Sequence, residues 1–136
     1  MRRKTDANNP ADWLLVAQAD LVMVRLTCAQ EVSFDPCRAK LAEALEKILK
    51  AELIRLGWRL EKTHDLQRLT GLLKERGSDL ISAVEPLANV LADAYFMDRY
   101  PGFDLDEPDW PQLRQQMKEV EDLLTTVKSR LPHPGS

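Results

Sequence analysis

FDPCRAKLAEALEKILKAELIRLGWRLEKTHDLQRL, residues Phe34–Leu69, is the stretch whose reading decides the fold. It shows no sustained period-two alternation. Leu41, Leu45, Ile48, Leu49, Leu53 and Leu56 recur mostly at steps of three and four, which lines one face of a helix. Lys40, Glu43, Glu46, Lys47 and Lys50 occupy the remaining positions, so Lys47 and Lys50 read as solvated. Glu43–Lys47 and Glu46–Lys50 are i,i+4 pairs in the favourable order, each adding about 0.2–0.5 kcal/mol on an exposed face. Asp35-Pro36 is a cap-then-proline start and Gly57 a C-terminal stop. Trp58, just past that stop, is placed to plug the corner below the helix. Thr63 is then expected to cap a shorter helix carrying Leu66, Leu69, Leu72 and Leu73 and ending at Gly77.

Working outward, Asn9-Pro10 opens a helix that runs to about Cys28. Leu14, Ala17, Leu21, Val24 and Cys28 form its core stripe. Leu15, Val22 and Met23 widen the apolar surface well past that stripe, which predicts contact on two sides, the core on one and another chain on the other. On the C-terminal side, Ser78–Val84 reads as a brief helical turn. Glu85-Pro86 restarts the chain as a helix through about Asp98, because running a helix across Pro86 costs ~3 kcal/mol. Pro101, Gly102, Pro108 and Pro111 mark a loop between Tyr100 and Trp110. Asp109 and Gln112 resemble a capping box for a last helix patterned by Leu113, Met117, Val120, Leu124, Val127 and Leu131. The expectation is an all-α fold: an antiparallel up-down bundle of four long helices plus a short fifth. It spans residues 10–131 as one domain, between a flexible N-terminus (1–9) and a disordered tail (132–136).

Bulk composition bounds the function. The chain of 136 residues is long enough for one core without a metal or disulfide staple. Its formal net charge of −3 lacks the Lys/Arg excess that sequence-blind nucleic-acid binding needs. No apolar run reaches the ~18–20 residues of a membrane span, and no signal-peptide core opens the chain. A cytoplasmic protein is expected. Cys28 and Cys37 have no partners at metal-ligand spacing and are expected as free thiols that could approach each other across a helix–helix turn.

The order of the motifs carries a resemblance. Glu46-Lys47-Ile48-Leu49-Lys50-Ala51, then the turn Thr63–Leu66 (THDL), then a helix ending in Arg99-Tyr100-Pro101 (RYP), resembles the HEPN domain family; the opening ADWLLVAQADL resembles the family's first helix. The likeness covers about residues 11–131. It implies a helical bundle that commonly dimerises and is often encoded beside a minimal nucleotidyltransferase with which it forms a complex. Many catalytic members are metal-independent ribonucleases whose motif is Arg, four to six residues, then His.

That motif is incomplete here. Counting from Arg99, the histidine would fall at Asp104, Leu105 or Asp106, and the chain's two histidines are His64 and His133. RNA cleavage through the 2′-hydroxyl needs a group that exchanges protons near neutral pH, which an exposed aspartate does not. Asp98, Asp104, Asp106, Glu107 and Asp109 also surround Arg99 with negative charge. Asp104, Asp106 and Asp109 lack the ligand ladder and registered glycine of a calcium loop. The sequence therefore assigns no catalytic residue, no metal site and no cofactor. It names Arg99, Tyr100, Lys50, His64 and Asp65 as candidate partner- or nucleotide-binding residues. Arg99 also suits the carbonyl end of its helix, and Tyr100 is expected to pack its ring inward. The expected function is a non-catalytic HEPN-like binding protein, homodimeric and complexed with a minimal nucleotidyltransferase in toxin–antitoxin or nucleotide-linked regulation. The alternatives are an atypical ribonuclease and a nucleotide-binding module.

Overall fold

The structure, a computed structural model, describes residues 4–102 and 107–132; the side chains of Asp98 and Arg99 lie outside that description. Its helices are α1 (Pro10–Gln30), α2 (Phe34–Arg55), α3 (Leu66–Glu75), α4 (Ile81–Leu91), α5 (Ala94–Arg99) and α6 (Trp110–Ser129), and no strand occurs among the described residues. No helix there is long and apolar enough to cross a membrane.

α2 is the axis, touched by all five other helices. Pairings set the directions. Cys28 meets Cys37, Asp20 meets Lys47 and Lys50 lies over the Trp13 ring, so α1 and α2 run antiparallel. Arg25 bonds Glu121 and Arg114 bonds Glu31, so α6 is antiparallel to α1. Phe34 packs edge-on against Trp110, and Glu52 holds Arg130, so α6 runs parallel to α2. Gln67 bonds Asn89 across the antiparallel pair α3–α4.

The long helices begin and pack largely as their sequences require. Asn9 Oδ1 accepts from Ala11 N, and Leu14, Ala17, Leu21, Val24 and Cys28 are all buried. Asp109 Oδ1 accepts from Gln112 N at the start of α6. Trp58 is buried at the corner after Gly57, whose φ of 92° suits glycine.

Elsewhere the structure corrects the reading. α2 starts at Phe34, after Ser33 in the left-handed region, rather than at the Asp35-Pro36 cap. The Phe34–Trp110 contact draws that residue into the helix, and Pro36 is tolerated because first-turn N–H groups have no intrahelical partner anyway. Asp65, not Thr63, caps α3: its Oδ1 accepts from Gln67 N and Arg68 N, a carboxylate at the positive helix end, while Thr63 Oγ1 takes Asp65 N. Leu56, assigned to the buried face, is exposed.

The segment 78–99 is divided differently from the expectation. α4 crosses Pro86 without a break, and the chain turns at Ala92–Asp93 instead. Pro86 and Ser82 are exposed, so the Ser82 carbonyl that loses its bond faces water. Burying Val84, Leu87, Ala88 and Leu91 offsets the ~3 kcal/mol penalty, at about 1.5–3 kcal/mol for each Val or Leu side chain. Arg38 of α2 stops the helix by donating to the Val90 carbonyl and to Asp93.

Candidate functional site

α2 carries two buried glutamates, and each gathers cations. The first, Glu46, faces α1, α5 and the α2–α3 connection. Lys50, one turn on, donates Nζ to Glu46 Oε2 at 3.0 Å. Lys50 is only 4% exposed, which corrects its reading as solvated. Its Nζ lies 5.0 Å from the Trp13 ring centroid, so a cation–π contact joins the ion pair. Trp13 is itself fixed by donating Nε1 to the Ala7 carbonyl at 2.7 Å. A lysine so enclosed cannot reach out to grip a phosphate. Lys47 reaches back to Asp20, while Glu43 pairs with Lys40, so the cross-helix partner replaces the i,i+4 pair read from sequence.

His64 closes the cluster from the other side. Its Nδ1 stands 3.1 Å from Glu46 Oε1, and its ring stacks on Tyr95 at 4.8 Å and 15°. With the carboxylate as acceptor, Nδ1 carries the proton and Nε2 is the ring's basic nitrogen. The imidazole remains more than half exposed. The space beside it is about 10 Å³, on the order of one water. Lys50 and His64 are thus brought together on one carboxylate, whereas Asp65 is turned to the α3 backbone.

Tyr95 lies on α5 four residues before Arg99, so His64 stacks on the helix one turn from that arginine's position. The Arg99 side chain, Asp104, Leu105, Asp106 and His133 lie outside the described residues. Tyr100, expected to turn inward, is 57% exposed and stacks at 6.4 Å with Phe96, which is also exposed. α5 ends before it, and Tyr100 takes an extended backbone as the helix cap. Among the described residues no group of three or more His, Cys, Asp or Glu side chains is arranged to hold a metal ion.

The second glutamate, Glu52, is wholly buried. Arg55 donates to both of its oxygens, and Arg130 of α6 donates Nη1 to Oε2 at 2.6 Å. Arg130 also forks onto Asp79, at 3.0 and 2.7 Å. That hydrogen bond is the main cause holding the Asp79 carboxyl below its ordinary range, and it raises Arg130 in turn. Arg76 joins these groups along an open cleft of about 390 Å³. Sequence reasoning passed over Glu52, Arg130 and Tyr95. Glu52 had a readable signal: it stands three and four residues after Leu49 and Ile48, on the apolar face.

The outer surface of α1 is the other exposed feature. Leu15, Val22, Met23 and Leu26 are each more than half exposed, and Ala19 lies exposed between them. Leu15, Ala19, Val22 and Leu26 follow steps of four, three and four, a continuous apolar seam opposite the core stripe.

No curated protein and no solved structure matches the chain. The family model described as the HEPN domain matches residues 11–129, which takes in every helix from the first turn of α1 to the end of α6. With helices throughout the described residues and that match over nearly its whole length, the chain belongs to the HEPN domain family.

Proposed function

We propose that this HEPN-domain chain is a non-catalytic binding protein. It self-associates through the outer face of α1 and forms a complex with a minimal nucleotidyltransferase, in a toxin–antitoxin or nucleotide-linked regulatory system. The observation that carries the reading is the double-sided apolar character of α1: one stripe fills the core, and the other keeps coiled-coil spacing in water. Ala19 near its centre lets a second helix approach closely. The partner enzyme follows from family membership alone.

The test is direct. The chain is expected to elute as a dimer in light scattering, and Val22→Glu, which puts a charge on the seam, is expected to give a folded monomer. A minimal nucleotidyltransferase is expected to be encoded beside it, and co-expression of the two to yield a stable complex. A wild-type monomer that captures no such enzyme sinks the proposal.

A second reading, an atypical ribonuclease, has one observation in its favour. Glu46 orients His64, and that imidazole stacks on α5 one turn from Arg99. Such a dyad supplies the proton-exchanging group that the residues after Arg99 lack. RNA cleavage in chelator, lost in both His64→Ala and Arg99→Ala, would replace the non-catalytic reading with this one.

A further inference from the structure

Cys28 in the last turns of α1 and Cys37 in the first turn of α2 bring their sulfurs to 3.7 Å across the α1–α2 seam. They are the only cysteines in the chain, and both are buried. Cys37 Sγ also donates to the Val24 carbonyl at 3.7 Å, which turns sulfur lone-pair density toward Cys28. A disulfide places its sulfurs about 2.05 Å apart. The gap is therefore within reach of side-chain rotation at the two sites.

The connection between them is also distinctive. Residues 31–33 alone join the helices, and two of them, Glu31 (φ 51°) and Ser33 (φ 53°), adopt the left-handed conformation without being glycine. Both residues therefore carry the strain of a left-handed conformation without being glycine. Arg114 of α6 ties the elbow down by donating to the Cys28 carbonyl and to Glu31.

We propose that Cys28 and Cys37 form a dithiol–disulfide site, oxidised by hydrogen peroxide and reduced by small thiols, whose oxidised form pins the end of α1 to the start of α2. In the first step the peroxide O–O bond breaks as one thiol becomes a sulfenic acid, and one water leaves. In the second step the other sulfur displaces that hydroxyl, a second water leaves and the S–S bond forms. The two electrons lost by the sulfurs are those taken up by the peroxide. Two thiol equivalents reverse the step by exchange through a mixed disulfide. Burial, with the neighbouring Cys28, pushes the Cys37 thiol up to about 12, so reaction waits on opening of the elbow and is slow in the closed fold.

The experiment treats the reduced full chain with hydrogen peroxide and follows intact mass, free-thiol titre and migration on a non-reducing gel. The expected product is a single chain lighter by two hydrogens, with no titratable thiol and a higher thermal midpoint, restored by dithiothreitol. Mild urea is expected to speed its formation several-fold. Cys28→Ser and Cys37→Ser, each with its fold checked by circular dichroism, are expected to gain oxygen instead of losing hydrogen. Disulfide-linked dimers, oxygen addition located at Cys28 or Cys37 of the wild-type chain by peptide mapping, or no loss of thiols in mild urea would each overturn the proposal.

Discussion

Glu46 and Glu52 sit six residues apart on one helix, both buried and both held by a cation of their own helix and a group from elsewhere in the chain. They differ in what compensates them. Glu52 has two guanidiniums, which stay charged at any ordinary pH, and Arg130 extends the network to Asp79. Glu46 has one enclosed lysine and one imidazole that is more than half exposed. The first arrangement ties three helix ends together. The second rests in part on a half-exposed ring, and it is the one beside α5. Two guanidiniums therefore compensate the Glu52 end of α2, whereas one lysine and one imidazole compensate the Glu46 end.

The contrast predicts an order of damage. Lys50→Met removes the enclosed cation that pairs with buried Glu46, at about 3–5 kcal/mol, the range for breaking a buried pair. Urea unfolding at pH 7 measures it. Replacing both Glu46 and Lys50 with Met is expected to recover most of the loss. If the single variant is as stable as the wild type, Lys50 is not enclosed and the contrast collapses.

Glu52→Gln comes next. It weakens charge-assisted bonds from two arginines, about 2 kcal/mol, less than Lys50→Met because both guanidiniums keep access to water and Arg130 keeps Asp79. A Glu52→Gln loss exceeding that of Lys50→Met would reverse the assignment of the two ends. His64→Ala follows at about 1 kcal/mol: one hydrogen bond and one ring stack are lost, but Lys50 stays on Glu46. Comparing its unfolding midpoint with its partner binding or RNA cleavage separates structural from functional use of the ring.

Much of the bundle could be read in advance, for local reasons. α1 and α6 announce themselves by side chains that cap their own backbones, Asn9 and Asp109, and by apolar steps of three and four. The misread features depend on other helices. Pro86 lies inside α4 because the Ser82 carbonyl that it leaves open is on an exposed face, and that helix stops where Arg38 of α2 meets Val90. Lys50 looks solvated in a list of charged positions, yet Trp13 from α1 and Glu46 enclose it. The site was legible only in part. His64 and Lys50 were singled out as residues, but the carboxylate that unites them was read as a surface ion-pair member, and Tyr95 carried no signal of its own.

Asp79→Asn is the smallest test and the most specific to the Glu52 end. Asp79 is largely exposed, so its fork with Arg130 is screened and contributes little to stability. Its carboxyl is nonetheless held below the ordinary value by the Arg130 hydrogen bond. A carboxyl depressed in the folded state adds stability above its unfolded value, near 4, and that increment disappears as pH falls through the lower folded value. The wild type is therefore expected to melt slightly above Asp79→Asn at pH 7, with the difference closing below about pH 4 and shrinking in 1 M salt. A difference that survives both acid and salt would mean that Asp79 acts through the turn it occupies after Gly77 rather than through Arg130. The Glu52 network would then end at Arg130, and the balance of compensation at this pole would rest on the buried pair alone.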